Sequence, residues 1–410
     1  MNSINLNNLK TMKNTFLTLA IASTLFISCG EDDTADIIIN NTDNSVTNIV
    51  NGGGSTDPGA ETIYISGTYT SNLDLLAKNN YILNGALVMA SGTTLSIEAG
   101  TTINALASGS DIYIAIAQGA KIEANGTASA PIVMTSNSTA PKAGDWGGLI
   151  LLGKAPINSV SSGTSTSEIG GLPYGGTNAA DNSGTIRYVR VQYSGGKADG
   201  QSENNGFSFY GVGNGTTVEY IQMFEGLDDG LEFFGGTVNV NYVSVINAQD
   251  DSIDWTEGFS GNVTNAYIKQ GVDHDKAFEA DGYNTDIGNN ASPKFWSAPT
   301  ITNATVYGFA ADIATSEAIR LRAGTKGIFT NIVLNDFGKG TELKGDGGDN
   351  PTGTWAVDKT LHLNDITFNN VTTKVVNQTA ATFTEADLVS GIGNGTGTDY
   401  ATWGAGWTVN

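Results

Sequence analysis

The 410-residue sequence contains one cysteine, Cys29, and only two histidines, His274 and His362. A single cysteine excludes a disulfide bond within the chain, and this scarcity argues against a zinc site built from cysteine and histidine. Basic residues are also few, since 19 lysines and arginines stand against 41 aspartates and glutamates, for a net charge of -22. Nucleic acid is therefore not an expected partner, because binding it needs a basic surface. Cations and basic protein surfaces are better candidates.

Proline is scarce as well, with 8 residues, whereas glycine is abundant, with 53. Glycine and asparagine tolerate positive φ angles, and threonine favours strands. The composition therefore indicates many short strands joined by tight turns, with few helices.

Long hydrophobic runs are limited to Phe16–Ile27, which follows Lys13 and is too short to span a bilayer permanently. Cys29 stands just behind this run, after Ser28. The arrangement resembles a bacterial lipoprotein signal, with translation starting at Met12. It implies a signal peptide over residues 1–28 and a lipid, such as palmitate, on Cys29. An ordinary signal peptide with an unrelated cysteine is the alternative.

The stretch "GEDD", Gly30 to Asp33, follows the cysteine and leads into a segment rich in Asn, Thr and Gly. An acidic cluster at this place resembles the surface-export signal of Bacteroidetes lipoproteins. We therefore expect an outer-membrane protein, lipid-anchored and facing the cell exterior. Residues 29–62 have the composition of a flexible acidic tether, which is also the simpler explanation of the acidic cluster.

Short strand-like segments recur through the rear half of the chain. They begin at residues 187, 219, 241, 266, 304, 331 and 365, and they include "RYVRV", "EYIQM", "NYVSV" and "AYIKQ". A basic period in the low twenties with Gly and Asn turns is typical of a solenoid, in which stacked coils share one core. The sequence predicts an all-β fold, a right-handed parallel β-helix over residues 63–384, followed by a C-terminal cap over residues 385–410.

Several longer motifs point to the same fold. They are "APIVMTS" (Ala130 to Ser136), "GDWGGLILLGKAPIN" (Gly144 to Asn158), "DDGLEFFGGTVNV" and "DDSIDWTEGF". In combination they resemble a family of secreted bacterial β-helix proteins, many of them outer-membrane lipoproteins of Bacteroidetes and Proteobacteria. The resemblance covers about residues 75–410. It implies a fold and a location, but no activity, because the family has no settled biochemical function.

An acidic phrase repeats in the rear half. Stacking the coils on the inward residues Phe207, Leu231, Ile253, Phe278, Ile319 and Leu343 predicts one outward column. The column contains Ser208, Glu232, Asp254, Glu279, Arg320 and Lys344. Stacked carboxylates repel one another, so the column needs a cation, neighbouring lysines such as Lys269 and Lys276, or raised pKa values.

The acids preceding this column are candidate ligands for Ca²⁺, which prefers oxygen. They are Asp228, Asp229, Asp250, Asp251, Asp273 and Asp275. Because aspartate also accepts backbone N–H bonds in turns, turn formation alone is the competing explanation.

Three classes of function remain open. The first is a binding or accessory module for a glycan, a cation or an outer-membrane receptor, with candidate ligand-binding residues Glu232, Asp254, Trp255, Glu279, Arg320 and Lys344. Further aromatic candidates are Phe233, Phe234, Tyr283, Phe295 and Trp296, although a place in the core is the stronger expectation for most of them. The insertion from Asn284 to Pro299 is the one long loop in the rear half.

The second class is a polysaccharide-degrading enzyme. Asp250, Asp251, His274 and Arg320 loosely resemble the acids, histidine and basic residue of polygalacturonases. Arg320 and Lys344 could serve as the basic residues of a pectate lyase-like site. The third class is a structural spacer or adhesin without a site.

Overall fold

The computed structural model describes residues 37–40, 45–50, 59–198, 203–285, 294–345 and 351–410. Its strands are β1 (Ile37–Asn40), β2 (Ser45–Val50), β3 (Thr62–Tyr69), β4 (Leu73–Leu75), β5 (Asn80–Met89), β6 (Thr94–Ile97), β7 (Thr102–Ala105), β8 (Ile114–Ile116), β9 (Lys121–Asn125), β10 (Ile132–Ser136), β11 (Leu149–Leu152), β12 (Thr164–Thr166), β13 (Pro173–Gly175), β14 (Gly184–Gln192), β15 (Phe207–Tyr210), β16 (Thr217–Gly226), β17 (Leu231–Phe234), β18 (Asn239–Ala248), β19 (Ile253–Thr256), β20 (Asn262–Lys269), β21 (Phe278–Asp281), β22 (Thr300–Tyr307), β23 (Glu317–Arg322), β24 (Gly327–Lys344), β25 (Leu361–Gln378) and β26 (Val389–Ser390).

Within the ranges that the structure describes, helices are few and short, as the composition predicts. They are α1 (Thr352–Asp358), α2 (Glu385–Leu388), α3 (Tyr400–Trp403) and one 3₁₀ turn, Ala310–Asp312. None of the helices within the described ranges is long and apolar enough to cross a membrane.

The strands stack in three parallel ladders, which confirms the predicted parallel β-helix. Ladder A runs from β4 through β6 and β9 to residues 184–187 of β14 and onward to β26. Ladder B runs from residues 62–65 of β3 to residues 366–369 of β25. Ladder C contains β8, β11, β15, β17, β19, β21 and β23. Two antiparallel pairings, β1–β2 and β2–β3, precede the coils.

The interior between the ladders holds one continuous apolar core. The inward residues predicted from the sequence, Phe207, Leu231, Ile253, Phe278 and Ile319, have no exposed surface. Because each coil packs on the next, the apolar face of one strand is buried by its neighbours above and below.

The corner between ladders A and B repeats an unusual backbone conformation. Its residues have φ between 49° and 60°, in the left-handed region; they are Tyr188, Tyr220, Tyr242, Asn265, Asn303, Asn331 and Asp365. Asparagine and aspartate tolerate this region, whereas a tyrosine there costs roughly 1–2 kcal/mol. The three tyrosines stack with ring centroids 4.4 and 4.3 Å apart. Asn265, Asn303 and Asn331 form a ladder of side-chain hydrogen bonds.

The strand pairing at this corner shows that one of the repeats was misaligned in the sequence analysis. Ala266 stands opposite Val243, while Asn241 stands opposite Thr264. The segment "AYIKQ" was therefore placed two residues out of register with "NYVSV". A slip of two residues leaves every side chain on its proper face, because the side-chain period of a strand is two.

An insertion between β11 and β14 packs on the outer face of ladder C. It contains the antiparallel hairpin β12–β13. Its apolar residues Ile157, Ile169 and Tyr174 form a second apolar cluster with Ile150 and Tyr210 of the ladder. Part of the outer face of ladder C is thus covered by protein.

Candidate functional site

The outward acidic column predicted from the sequence exists on ladder C. Ser208 pairs with Glu232, Glu232 with Asp254, Asp254 with Glu279, and Glu279 with Arg320. The next member is Glu342, which stands opposite Arg320, so the placement of Lys344 after Arg320 was wrong. Leu343 stands opposite Leu321 instead of Ile319, again a slip of two residues that preserved the face.

The aspartates before each strand have a structural role through one oxygen. The backbone N–H of Asp251 donates to Oδ1 of Asp229 at 2.8 Å, and the N–H of Lys276 donates to Oδ1 of Asp251 at 2.6 Å. Each carboxylate therefore ties its coil to the next, as turn chemistry predicts. The second oxygen of each remains for other partners.

Carboxylates from neighbouring coils converge into clusters. In the group of Asp229, Glu232 and Asp254, one oxygen from each lies within 4.8 Å of the others, and the same holds for Asp251, Asp254 and Glu279. Glu232 accepts a hydrogen bond from Asn205 Nδ2 at 2.8 Å. Oδ1 of Asp254 is shielded from solvent and accepts no hydrogen bond. We call the first group, Asp229, Glu232 and Asp254, the acidic cluster.

Burial and mutual repulsion raise the pKa values of these acids. Burial is the larger cause for Asp229, followed by the charges of Asp228 and Asp251. For Glu232 burial is followed by the charges of Asp254 and Glu168, and for Asp254 by those of Glu279 and Asp251. Burial, with Glu203 next, raises the pKa of Asp228 to about 8. The pKa values of Asp250 and Asp251 are also raised, mainly by burial.

Cations are concentrated at the other end of the column. Lys276 Nζ lies 2.7 Å from Glu279 and 3.7 Å from Asp251. Arg322 Nε lies 2.6 Å from Asp281, and Arg320 Nε donates to Glu317 at 2.9 Å. These coils are close to charge balance, whereas no ion pair of the described residues reaches Asp229, Glu232 or Asp254.

Sequence reasoning missed residues that an irregular segment brings to this site. Glu203 forms a third carboxylate group with Asp228 and Asp250. Lys197 Nζ lies 2.9 Å from Glu203 and 3.3 Å from Asp228. These residues and Asn205 precede β15 in a segment without periodicity, so no pattern pointed to them.

Several predicted site residues are placed elsewhere. Trp255 has no exposed surface and donates from Nε1 to Thr325 Oγ1 at 3.1 Å, so its assignment as a ligand platform was wrong. Phe233 and Phe234 are buried too, as expected for most of the aromatics. Asp273 and Asp275 are exposed and, among the described residues, belong to none of the carboxylate groups.

The catalytic candidates are only partly assembled. Asp250 and Asp251 form a carboxylate group with Asp229. His274 faces away from them: its Nδ1 lies 3.0 Å from the carbonyl of Asp275 and its Nε2 3.9 Å from Asp312. Arg320 is engaged by Glu317, Glu279 and Glu342. The side chains proposed from the loose resemblance to polygalacturonases therefore form no single constellation.

The amino-terminal segment and the long loop are described only in part. Cys29, the signal segment and most of the tether lie outside the described residues. Of the insertion from Asn284 to Pro299, residues 286–293 are likewise outside them. Phe295 is 36% exposed, and Trp296 and Tyr283 are half-buried.

Similarity to individual known proteins is distant. No curated protein matches the chain significantly. The catalytic unit of a thermostable GH87 α-1,3-glucanase from Streptomyces thermodiastaticus strain HF3-3 is 11% identical, with a TM-score of 0.39, covering 83% of this chain and 64% of the glucanase chain. The catalytic domain of a variant GH87 α-1,3-glucanase in complex with nigerose is 12% identical, with a TM-score of 0.34, covering 80% and 64%. The chain thus spans less than two thirds of these structures, and no functional statement follows from similarity at this level.

A family model gives the firmer result. The model for the pectate-lyase-like β-helix domain matches residues 67–408, nearly all of the three-ladder region and the C-terminal segment. The parallel coils, the continuous core and this match agree: the chain belongs to the family of pectate-lyase-like β-helix domains.

Proposed function

We propose that this protein is a surface-anchored binding module that captures a divalent cation of the Ca²⁺ type in the acidic cluster and holds a glycan at the outer face of ladder C. The observation that carries the proposal is the convergence of Asp229, Glu232 and Asp254, with Oδ1 of Asp254 buried and without a hydrogen-bond donor. Such an oxygen is costly to leave unsatisfied.

The donor set fits a hard cation. Ca²⁺ binds oxygen ligands at 2.3–2.6 Å, so two oxygens that share one ion lie no more than about 5 Å apart. The three carboxylate oxygens of the acidic cluster satisfy this limit, since they lie within 4.8 Å of one another. Glu232 and Asp254 lie on strands β17 and β19, and Asp229 lies in the turn just before β17. The rigid coils therefore hold all three ligands in fixed positions.

Electrostatics also favours a bound cation. Two carboxylates 4 Å apart repel by about 4 kcal/mol at an effective dielectric of 20. Lys276 and Arg322 form ion pairs with Glu279, whereas among the described residues Asp254 feels only the more distant charge of Arg322 and no cation pairs directly with the acidic cluster. A cation would favour the ionised form of these carboxyls, whereas burial raises their pKa values and favours the protonated form.

The glycan and the location extend the sequence predictions. Acidic oxygens with a bound cation suit sugar hydroxyl or carboxylate groups, and an accessory role beside an outer-membrane receptor uses the same surface.

Lipidation of Cys29 would anchor the module to the outer membrane, facing the exterior. Proteinase accessibility on intact cells, compared between the natural chain and Cys29→Ser, tests this: both the membrane fraction and the surface signal should be lost in the variant.

Calorimetric titration with CaCl₂ tests the cation site. We expect heat and a rise in melting temperature for the natural chain, and at least a roughly tenfold loss of affinity in Asp254→Asn and Glu232→Gln. Asp273→Asn is the matched control, because Asp273 is exposed and outside the carboxylate groups. Absence of both heat and a thermal shift in the natural chain would refute the cation site.

A hydrolase is the second candidate, favoured by one observation. Burial raises the pKa of Asp228 to about 8, which is the direction that a general acid requires. Incubation with acidic polysaccharides tests it, with Asp228→Asn and Asp251→Asn as variants. Product formation that disappears in both variants would favour catalysis over binding. Neither binding nor turnover with any glycan would leave the structural spacer as the function.

A further inference from the structure

A buried lysine on ladder C lies between carboxyl groups of two successive coils. Lys276, just before β21, is 4% exposed, and lysine is rarely buried unless it is paired. Its Nζ lies 2.7 Å from Oε1 of Glu279 and 3.7 Å from Oδ2 of Asp251. Asp251 and Glu279 are buried as well. We call these three residues, Lys276, Asp251 and Glu279, the lysine triad.

The lysine triad places an amine beside a carboxyl group that is already held in position. Oδ1 of Asp251 accepts a hydrogen bond from the backbone N–H of Lys276 at 2.6 Å. A backbone N–H at this place stabilises negative charge that develops on the oxygen, as in an oxyanion hole. One oxygen of Glu279 lies within 4.8 Å of one of Asp251. Glu279 is thus close enough to both partners to carry a proton between them.

We propose that Lys276 and Asp251 condense to an isopeptide bond, an amide between their side chains that joins two successive coils covalently. Glu279 takes a proton from Nζ, and the freed amine attacks Cγ of Asp251. The N–C bond forms and the bond from Cγ to Oδ2 breaks. Nζ gives up two protons, both of them end on Oδ2, and this oxygen leaves as water. Glu279 is regenerated, and the reaction needs no oxidant or further reactant.

Burial favours this condensation over the ion pair. Burial by itself lowers the pKa of Lys276, but the neighbouring carboxylates, Asp251 first, outweigh it and raise that pKa, so Nζ begins protonated. Transfer of its proton to Glu279 replaces two buried charges with two neutral groups, which cost less to keep away from water. The amide that follows removes the charges of Lys276 and Asp251 together. The same burial keeps water from the finished bond.

Asp275 is the competing acceptor. Its carboxylate contacts Nζ of Lys276, but its side chain is 51% exposed. Water therefore solvates the ionised form of Asp275, and a bond to it would only join neighbours in the sequence. Asp251 is buried and has the backbone N–H on its carboxyl group. We therefore assign the bond to Asp251.

A tryptic digest of the purified full chain, analysed by tandem mass spectrometry, tests the bond. Trypsin cleaves after Lys269, which lies between Asp251 and Lys276 in the sequence. We expect a branched peptide that joins the two sides of this cut and is lighter than their sum by the mass of one water molecule. Two separate peptides from the natural chain, or a bond from Lys276 to Asp275, would overturn the proposal.

Variants identify the reacting groups. Lys276→Arg and Asp251→Ala should give unbranched peptides, and Glu279→Gln should give roughly tenfold less of the branched peptide, because its proton carrier is lost. Lys339→Arg is the matched control, since Lys339 also pairs with two glutamates but lies outside the lysine triad. Circular dichroism checks that each variant keeps the β-fold. A loss of water that persists in Lys276→Arg would place the dehydration elsewhere and refute the bond.

The bond and the cation site can be tested separately. The acidic cluster contains none of the residues of the lysine triad, and the branched peptide is detected after digestion, without any cation. Asp254→Asn should therefore keep the branched peptide while it weakens calcium binding. Loss of the branched peptide in the folded Asp254→Asn variant would contradict the assignment of the reaction to the lysine triad alone.

Discussion

Glu257 shows how one residue joins the insertion, the long loop and the coils. Its side chain is 1% exposed, accepts a hydrogen bond from Tyr174 Oη at 2.7 Å and is reached by Asn284 Nδ2 at 3.3 Å. Its backbone has a φ of 53°, where most residues with a Cβ are strained. Burial raises the pKa of this carboxyl, against the opposing effect of the hydrogen bonds from Tyr174 and Asn284.

The raised pKa predicts a pH-dependent effect of Glu257→Gln. A carboxyl whose folded pKa lies above its unfolded value contributes its full stability below the unfolded pKa, and this contribution is lost as pH rises through the folded pKa. The natural chain should therefore lose stability relative to Glu257→Gln as the pH rises from the ordinary carboxyl pKa through the raised pKa of Glu257. Urea denaturation of both proteins at several pH values measures this difference. A difference that does not change with pH would contradict the prediction.

At the scale of elements, the C-terminal segment fastens ladder B from outside. Gln222 Nε2 donates to the carbonyl of Val409 at 2.7 Å, and Val409 N–H donates back to Gln222 Oε1 at 2.8 Å. Arg190 Nη1 bonds the carbonyl of Trp407 at 2.8 Å. Trp407 itself has no exposed surface and meets Tyr188 edge-on. The segment thus covers the outer side of several coils at once.

Removing the Trp407 side chain should loosen this segment. We expect Trp407→Ala to lower the free energy of unfolding by about 3–5 kcal/mol, the usual cost of deleting a buried indole. Chemical denaturation measures the loss, and Trp403→Ala, at a half-buried position of the same segment, should cost less. A loss below about 1 kcal/mol for Trp407→Ala would show that the segment contributes little to stability.

At the scale of the whole molecule, the acids of ladder C make stability depend on pH and on cations. Six neighbouring carboxyls have pKa values raised chiefly by burial: Asp228, Asp229, Glu232, Asp250, Asp251 and Asp254. The ordinary pKa of a carboxyl group is near 4, and the pKa of Asp228 in the folded chain is about 8. At pH values between the ordinary and the folded pKa of each group, the folded chain binds more protons than the unfolded chain. Stability must fall as pH rises through that interval.

We expect the protein in EDTA to melt at a higher temperature at pH 5.5 than at pH 8. Adding CaCl₂ should raise the melting temperature more at pH 8, where protons compete less for the carboxylates. Differential scanning calorimetry at both pH values checks the two expectations. A melting temperature in EDTA that rises from pH 5.5 to pH 8 would contradict the first of them.

The fold class and the acidic column could both be predicted from the pattern of residue types along the chain. Alternation between apolar and polar residues assigns each side chain to a face, so Glu232, Asp254 and Glu279 could be placed outward. The same alternation cannot fix register, because a slip of two residues changes no face. Ala266 and Lys344 were misplaced for that reason.

The surroundings of the column, in contrast, depend on long-range packing that no local pattern predicts. Two irregular segments bring together residues far apart in the chain: the insertion that covers ladder C, and the segment that places Lys197 and Glu203 beside Asp228. Those contacts depend on how irregular segments close over the coils, and irregular segments have no periodicity. Burial under them is what turns a row of surface acids into a cluster with raised pKa values.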